Sequence, residues 1–163
     1  PTRLTTAGRG VHKLVTGVDR EQSDKLALLH QLSAHILGSV AYQGGATGVD
    51  SSAENAITAG AGVCQDHAHI FIAACRSMGI PARYVSGYLM MDGQVEQSAS
   101  HAWAEAHVDA IGWVGFDISN GISPDGRYVR VATGFDYRDA APISGMSFGA
   151  RDKSMVVSLR VEQ

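Results

Sequence analysis

Basic clusters, disulfide-forming cysteines and long apolar runs are all scarce in this 163-residue chain, and each scarcity excludes a class of protein. Two cysteines are too few for a disulfide framework. Eleven positions apart on one helix, Cys64 and Cys75 would stand about 16 Å from each other at ~1.5 Å per residue, too far to bridge. A net charge of −3 without any Lys- or Arg-rich run gives no reason to expect nucleic acid. The apolar runs are short and interrupted, so no stretch is expected to cross a bilayer, and no secretory leader is read at the start. A reducing, cytoplasmic compartment is therefore expected. Neither internal repeats nor low-complexity tracts are visible. The first residue is Pro1 rather than Met, which reads as a piece cut from a longer chain.

What is present describes an ordinary globular chain, 45% hydrophobic and 18% charged, expected to fold as a single domain over residues 1–163. Residues 1–20 carry scattered apolar positions (Leu4, Val11, Leu14, Val15, Val18) with no strong period. Ser23-Asp24 opens a clearer helix whose stripe is Leu26, Leu29, Leu32, Ile36, Leu37 and Val40. His30 and His35 read as partly exposed residues of its surface. Gly44-Gly45 and Gly48 make a flexible connection. Ser51-Ser52-Ala53-Glu54 matches a capping box for a short helix through Ile57 that dies at Gly60. Beyond Pro81 the period becomes two: Ala82 to Met90 reads as a strand and Asp92-Gly93 as a turn. His101 to Val108 and Trp113 to Ile118 form a candidate antiparallel pair around Asp109-Ala110-Ile111-Gly112. Tyr128 to Ala132 and Ser154 to Val161 read as further strands, Pro124-Asp125-Gly126 as a turn, and residues 133–150 as a long loop. Helices first and strands after predict an α+β fold with an antiparallel sheet.

The chemistry concentrates at Gly60-Ala61-Gly62-Val63-Cys64-Gln65-Asp66-His67-Ala68-His69. Beyond Gly62, the residues Ala68, Phe71, Ile72, Ala74, Cys75 and Met78 recur at helical spacing, and Gly79 and Pro81 end the helix. Cys64 thus falls in or just before the first turn, where unpaired N–H groups and the positive end of the helix dipole favour a thiolate. The same N–H groups can hold an oxyanion that develops beside the sulfur. Asp66 reads as a first-turn charge and Cys75 as a small buried hydrophobe.

A cysteine nucleophile needs a base, and the base needs a group that fixes its tautomer. In the predicted hairpin His101, Trp103, Glu105 and His107 share one face, with Ala102, Ala104, Ala106 and Val108 on the other. Trp113, Gly115 and Asp117 share a face of the second strand. His101 and Asp117 can then lie side by side near one end of the ribbon, leaving one imidazole nitrogen for sulfur. Glu105 fits a buried hydrogen-bonding role, and Trp103 and Trp113 fit core or cleft walls. Two other classes compete. Cys64, His67, His69, His101 and His107 include zinc-ligand types, but His67 and His69 diverge on a helix and no second paired-ligand motif exists. The second is a domain that binds peptide without turnover.

These blocks resemble the transglutaminase-like cysteine hydrolases, relatives of the papain-like proteases. The likeness runs from the Leu-rich helix through Tyr42 and the Ser51–Gly62 segment to Asn120. It is densest in Gly62-Val63-Cys64-Gln65-Asp66-His67-Ala68-His69, His101-Ala102-Trp103-Ala104-Glu105 and Gly112-Trp113-Val114-Gly115-Phe116-Asp117. The resemblance implies Cys64 as nucleophile, His101 as general acid/base and Asp117 as orienting carboxylate. It implies a papain-like core with the cysteine on a central helix packed against an antiparallel sheet, preceded in bacterial members by an extra β-rich segment. Two departures stand out: His67 where an aromatic residue is expected, and Ile118-Ser119 in place of Pro-Thr. A papain-like glutamine before the cysteine is replaced by Thr58, so the second oxyanion donor is left among Trp103, Gln65 and a loop amide. The expected activity is thiol-dependent cleavage or exchange of an amide in a peptide or protein, with hydrolysis favoured over amine transfer. No cofactor, metal, nucleic acid or membrane partner is expected, and no acidic loop of EF-hand type is present for calcium.

Overall fold

The computed structural model describes residues 1–90, 96–97, 100–143 and 159–160. Helices dominate the first half: α1 (Arg9–Thr16), α2 (Lys25–Ser39), α3 (Ala53–Ala59) and α4 (Cys64–Ser77), with two-residue strands β1 (Ala41–Tyr42) and β2 (Ala61–Gly62) between them. Strands follow: β3 (Ala82–Leu89), β4 (Glu96–Gln97), β5 (His101–Val108), β6 (Gly112–Phe116), β7 (Tyr128–Gly134) and β8 (Leu159–Arg160). The four longest form one antiparallel sheet in the order β6-β5-β3-β7, and β4 pairs with β8. The predicted α+β architecture is the observed one.

α2 begins where its sequence places it: the Asp24 side chain accepts from the N–H groups of Leu26 (2.9 Å) and Ala27 (3.3 Å). Most of its stripe is buried, with Leu29, Leu32 and Ile36 wholly inside and Leu26 and Leu37 half-buried against the core. His30 is exposed, its ring edge-on to Phe116, and His35 is half-buried. α1 is a correction to the reading of residues 1–20 as lacking a strong period: Val11, Leu14, Val15 and Val18 recur at helical spacing and are buried. Its start is capped from afar. The Glu54 carboxylate accepts from the N–H groups of Gly8, Gly10 and Val11 at 3.0, 2.9 and 2.8 Å. Burial raises the Glu54 pKa, but those three hydrogen bonds outweigh it and hold the carboxyl below its usual value. Glu54 is therefore not the partner of Ser51 that the capping-box pattern suggests. Ser52 caps α3 instead, its hydroxyl accepting from Asn55 N (3.2 Å) while Asn55 Oδ1 accepts from Ser52 N (3.1 Å).

α4 is the axis of the fold. The expectation of one buried face proves too modest: Gln65 through Cys75 are all buried, His67 and His69 included. α1, α2 and α3 cover one side, and β5 and β3 the other. On β5 the covering residues are Ala102, Ala104 and Ala106, whose small side chains let helix and sheet approach closely. The helix ends at Met78 and Gly79, the latter in the left-handed region (φ 76°) as the Gly-x-Pro pattern requires.

The hairpin turns at residues 109–111, and its ladder runs from Val108↔Gly112 to Ala104↔Phe116. Asp117 lies one residue past the last rung, in a bridge with Ile122. β7 extends two residues beyond the expected Ala132. The remainder of the expected loop is, up to residue 143, a turn built on Asp136, which accepts from Arg138 N (2.8 Å) and Asp139 N (3.2 Å). The predicted turn at Asp92-Gly93 and residues 144–150 lie outside the described residues. Of the predicted strand Ser154 to Val161, the pair Leu159–Arg160 lies inside them and is a strand. No helix among the described residues is long and apolar enough to cross a membrane.

Candidate active site

Cys64 is the first residue of α4, directly after Val63 in extended conformation, and is half-buried. Three hydrogen bonds fasten this helix end and the loop before it. Asp66 Oδ2 accepts from Val63 N (2.8 Å) and from the Thr47 hydroxyl (2.6 Å), and Gln65 Nε2 donates to the Val49 carbonyl (3.1 Å). β1 runs parallel to β2 with Tyr42 opposite Gly62, which brings a 58%-exposed tyrosine beside the approach to Cys64. Partial burial, then the charges of Cys64 and Asp117, push the Tyr42 pKa up and keep its hydroxyl a donor.

His101 opens β5, its side chain 15% exposed, and its Nε2 lies 2.6 Å from Asp117 Oδ2. Burial lowers the pKa of this imidazole. The hydrogen bonds to Asp117 and Cys64, and then the charges of both, overcome it and lift the value to about 9. Sulfur and carboxylate therefore act on one ring. With Nε2 on the carboxylate, Nδ1 is the nitrogen left for the thiol.

Asp117 is fully buried and collects more partners than the sequence reveals. Its Oδ2 accepts from the Asn120 amide and the Tyr128 hydroxyl, both at 2.7 Å, besides His101. Burial alone would raise its pKa, but the bond and charge of His101, then Tyr128 and Asn120, hold it below the usual carboxylate range. Asn120 was legible in principle, since Asp-x-x-Asn is a local turn in which Asn120 N also bonds Oδ1 (3.3 Å). Tyr128 was not, because it arrives from β7. That strand reaches the site because Gly87 has no side chain: a Cβ there would lie 2.0 Å from the Val129 carbonyl oxygen and 2.8 Å from the Trp103 ring. The rings of His101, Trp103 and Tyr128 then pack together, with centroids 5.4 to 6.3 Å apart.

The other candidates are placed just as definitely. Glu105 is bound by Arg83 (2.6 Å) and Arg130 (3.0 Å), the hydrogen-bonding role expected of it. Trp103 is buried beside the site, while Trp113 lies 44% exposed under the Arg83 guanidinium. His107 stands edge-on to Trp113. His67 Nε2 bonds the Val40 carbonyl and Nδ1 the Ser119 hydroxyl, both at 3.0 Å. His69 Nε2 accepts from Tyr137 N (3.2 Å), and burial, against the charge of Asp136, pushes its pKa down to about 4. His67 and His69 thus point to different parts of the molecule, and no group of three or more metal-ligating side chains converges among the described residues. Of the oxyanion donors considered, Gln65 has its amide committed to Val49.

A cysteine at a helix start, a histidine and a buried aspartate on an adjacent antiparallel sheet form the core of the papain-like cysteine-hydrolase fold. Residues 12–118 match the Transglutaminase-like superfamily, and the chain belongs to it. It is 42% identical over 125 residues to an uncharacterized protein of Mycobacterium leprae, an alignment covering 72% of this chain and 44% of that one. An uncharacterized protein of Mycobacterium tuberculosis is 32% identical over 139 residues, covering 79% of this chain and 44% of its own length. The chain thus spans less than half the length of these curated relatives. Its fold is similar to the crystal structure of a Cytophaga hutchinsonii protein assigned provisionally as a cysteine protease (TM-score 0.77, 30% identity, covering 100% of this chain and 54% of that one). A TGase structure shares the fold at TM-score 0.57 and 17% identity, covering 71% of this chain and 32% of the other. Family and neighbours together are of the thiol-dependent acyltransferase and hydrolase kind.

Proposed function

We propose that the chain is a thiol-dependent enzyme that opens amide bonds, with Cys64 as nucleophile, His101 as general acid/base and Asp117 as the group that orients and charges the imidazole. The observation that carries this reading is the 2.6 Å contact of Asp117 Oδ2 with His101 Nε2, on a ring whose pKa is also raised by Cys64. Cys64 Sγ attacks the carbonyl carbon, and the oxygen takes the negative charge. The Cys64 N–H is one donor to it. Tyr42 supplies the second, supported by its place opposite Gly62 and the bearing of the Cys64 charge on its hydroxyl. As the carbon–nitrogen bond breaks, the His101 Nδ1 proton passes to the departing amine and a thioester remains on sulfur. Water then gives a proton to His101 and its oxygen to the carbonyl carbon. The carbon–sulfur bond breaks, the acid leaves and the thiolate is restored.

Water is the favoured acceptor, and a primary amine in its place would make the same machinery an amine transferase. A peptide is the substrate class. A hollow of about 410 Å³ walled by Trp103, Trp113, Pro124 and Tyr128 adjoins the rings around His101 and gives it room. The sequence of steps uses no cofactor. A reducing compartment such as the cytoplasm belongs to the same reading, since a cysteine nucleophile acts only while its thiol stays reduced. The test is incubation with a glutamine-containing peptide library, with and without a primary amine, followed by mass spectrometry. Cleavage, deamidation and amine incorporation leave distinct masses. The wild-type chain should give at least one and Cys64→Ala none. Unchanged turnover in Cys64→Ala, or peptide binding without any product in the wild type, would overturn the reading.

A further inference from the structure

His67 and Ser119 are bonded to each other although 52 residues apart. The Val40 carbonyl can only accept, so His67 Nε2 carries the ring hydrogen and Nδ1 accepts from the Ser119 hydroxyl. One imidazole, fully buried one turn after Cys64, thereby holds two segments that converge on the sulfur. Val40 leads directly into β1, whose Tyr42 ring stands edge-on to His67 at 6.2 Å. Ser119 lies in the turn between Asp117 and Asn120, whose amide bonds the Asp117 carboxylate. We propose that His67 is a positioning residue: its two ring nitrogens fix the Tyr42 strand and the Asp117 turn around Cys64, and through that turn they set the hold of the carboxylate on His101.

The consequence for catalysis rests on the function proposed above, whereas the effect on the His101 ring does not. The groups facing His101 are Asp117 at the end of β6, Cys64 on α4 and Tyr128 on β7. Those facing His67 are Asp66 on its own helix, Asp117 and Ser119 on the turn, and Tyr42 on β1. Burial, against the Val40 bond and the charges of Asp66 and Asp117, lowers the His67 pKa and so favours the neutral form this bonding requires. A loosened turn weakens the grip of Asp117, and the elevated pKa of His101 then falls.

The experiment is an NMR titration of the His101 imidazole in the whole chain, assigned with His101→Gln. The wild-type midpoint should lie at about 9. His67→Phe and Ser119→Ala should each lower it by about one unit, a tenfold change in proton affinity. His67→Asn, whose amide oxygen can take the place of Nδ1 as acceptor for Ser119, should restore most of the shift. The double variant His67→Phe/Ser119→Ala should fall no further than His67→Phe alone, as expected of residues acting through one bond. A merely structural role would lower the melting temperature and leave the His101 midpoint in place, and that result in folded variants overturns the proposal. Should His67→Phe fail to fold, Ser119→Ala decides alone. Amide turnover measured on the same proteins separates the two readings. Ordered midpoint shifts without wild-type turnover remove the enzyme and keep the positioning role, while turnover with unmoved midpoints does the reverse.

Discussion

Two buried carboxylates belong to the same hairpin, Glu105 on β5 and Asp117 one residue past β6, and they are satisfied in opposite ways. Glu105 is held between the guanidinium groups of Arg83 and Arg130, both permanently charged. Asp117 is held by an imidazole, a phenol and an amide, none of which is permanently charged. The Glu105 pair therefore serves the fold, its two arginine partners staying charged at every working pH. That of Asp117 is neutralised only while His101 keeps its second proton, so the carboxylate draws a proton onto the ring that faces the sulfur. A motif shows two acidic residues, and the partners show which one is available to chemistry.

The contrast can be broken at either end, and the largest effect is expected at Asp117. Asp117→Asn should cut amide turnover by about 10³- to 10⁴-fold, the scale seen when the orienting carboxylate of a triad is lost. Its kinetics against peptide substrate provide the check. Glu105→Gln should leave turnover nearly intact and destabilise the fold by about 2 kcal/mol, because the stranded Arg83 and Arg130 are partly open to water and can be resolvated. Urea unfolding measures this.

A pH scan sharpens the same comparison. The His101 pKa is raised above its unfolded value of about 6.5, so the native state binds more protons between that pH and about 9. Stability from the Asp117–His101 pair is thus complete below pH 6.5 and is lost as pH rises through 9, at up to about 1.4 kcal/mol per unit. Asp117→Asn should flatten that slope and Glu105→Gln should not, since arginine stays charged throughout. At the acid end His69 acts in the reverse sense. Its pKa is depressed to about 4, so unfolding takes up a proton as pH falls from about 6.5. Acid should therefore weaken the fold across that window, and His69→Gln should reduce the slope. The smallest effect is expected for Tyr128→Phe, which removes one bond to the buried carboxylate and should cost about 1–2 kcal/mol, with turnover reduced by roughly tenfold.

Much of this site was legible because its parts are local. The alternation of His101 to Val108, the turn at 109–111 and the strand to Phe116 fix the hairpin within some twenty residues, and the helix signal fixes Cys64 at an N-terminus. From those two elements the proposed triad was drawn. What escaped depends on distant partners. α1 is capped by Glu54 from more than forty residues away, so its own sequence carries no start signal. β1 and β2 are two residues long, too short for any period, and yet they place Tyr42. Tyr128 reaches Asp117 only through the β3–β7 register and its irregularity at Ser86/Gly87. His67 showed as a departure from a pattern, but its partner Ser119 is visible only once the chain has folded.

The most direct test of the central claim is the rate at which iodoacetamide alkylates Cys64 at pH 6, in the wild-type chain and in His101→Gln. If imidazolium and sulfur form a pair, the wild type should react at least about tenfold faster than the variant, because the thiolate is the reacting species. Equal rates in two folded proteins would mean that His101 does not act on the sulfur, and the account of this site would fail.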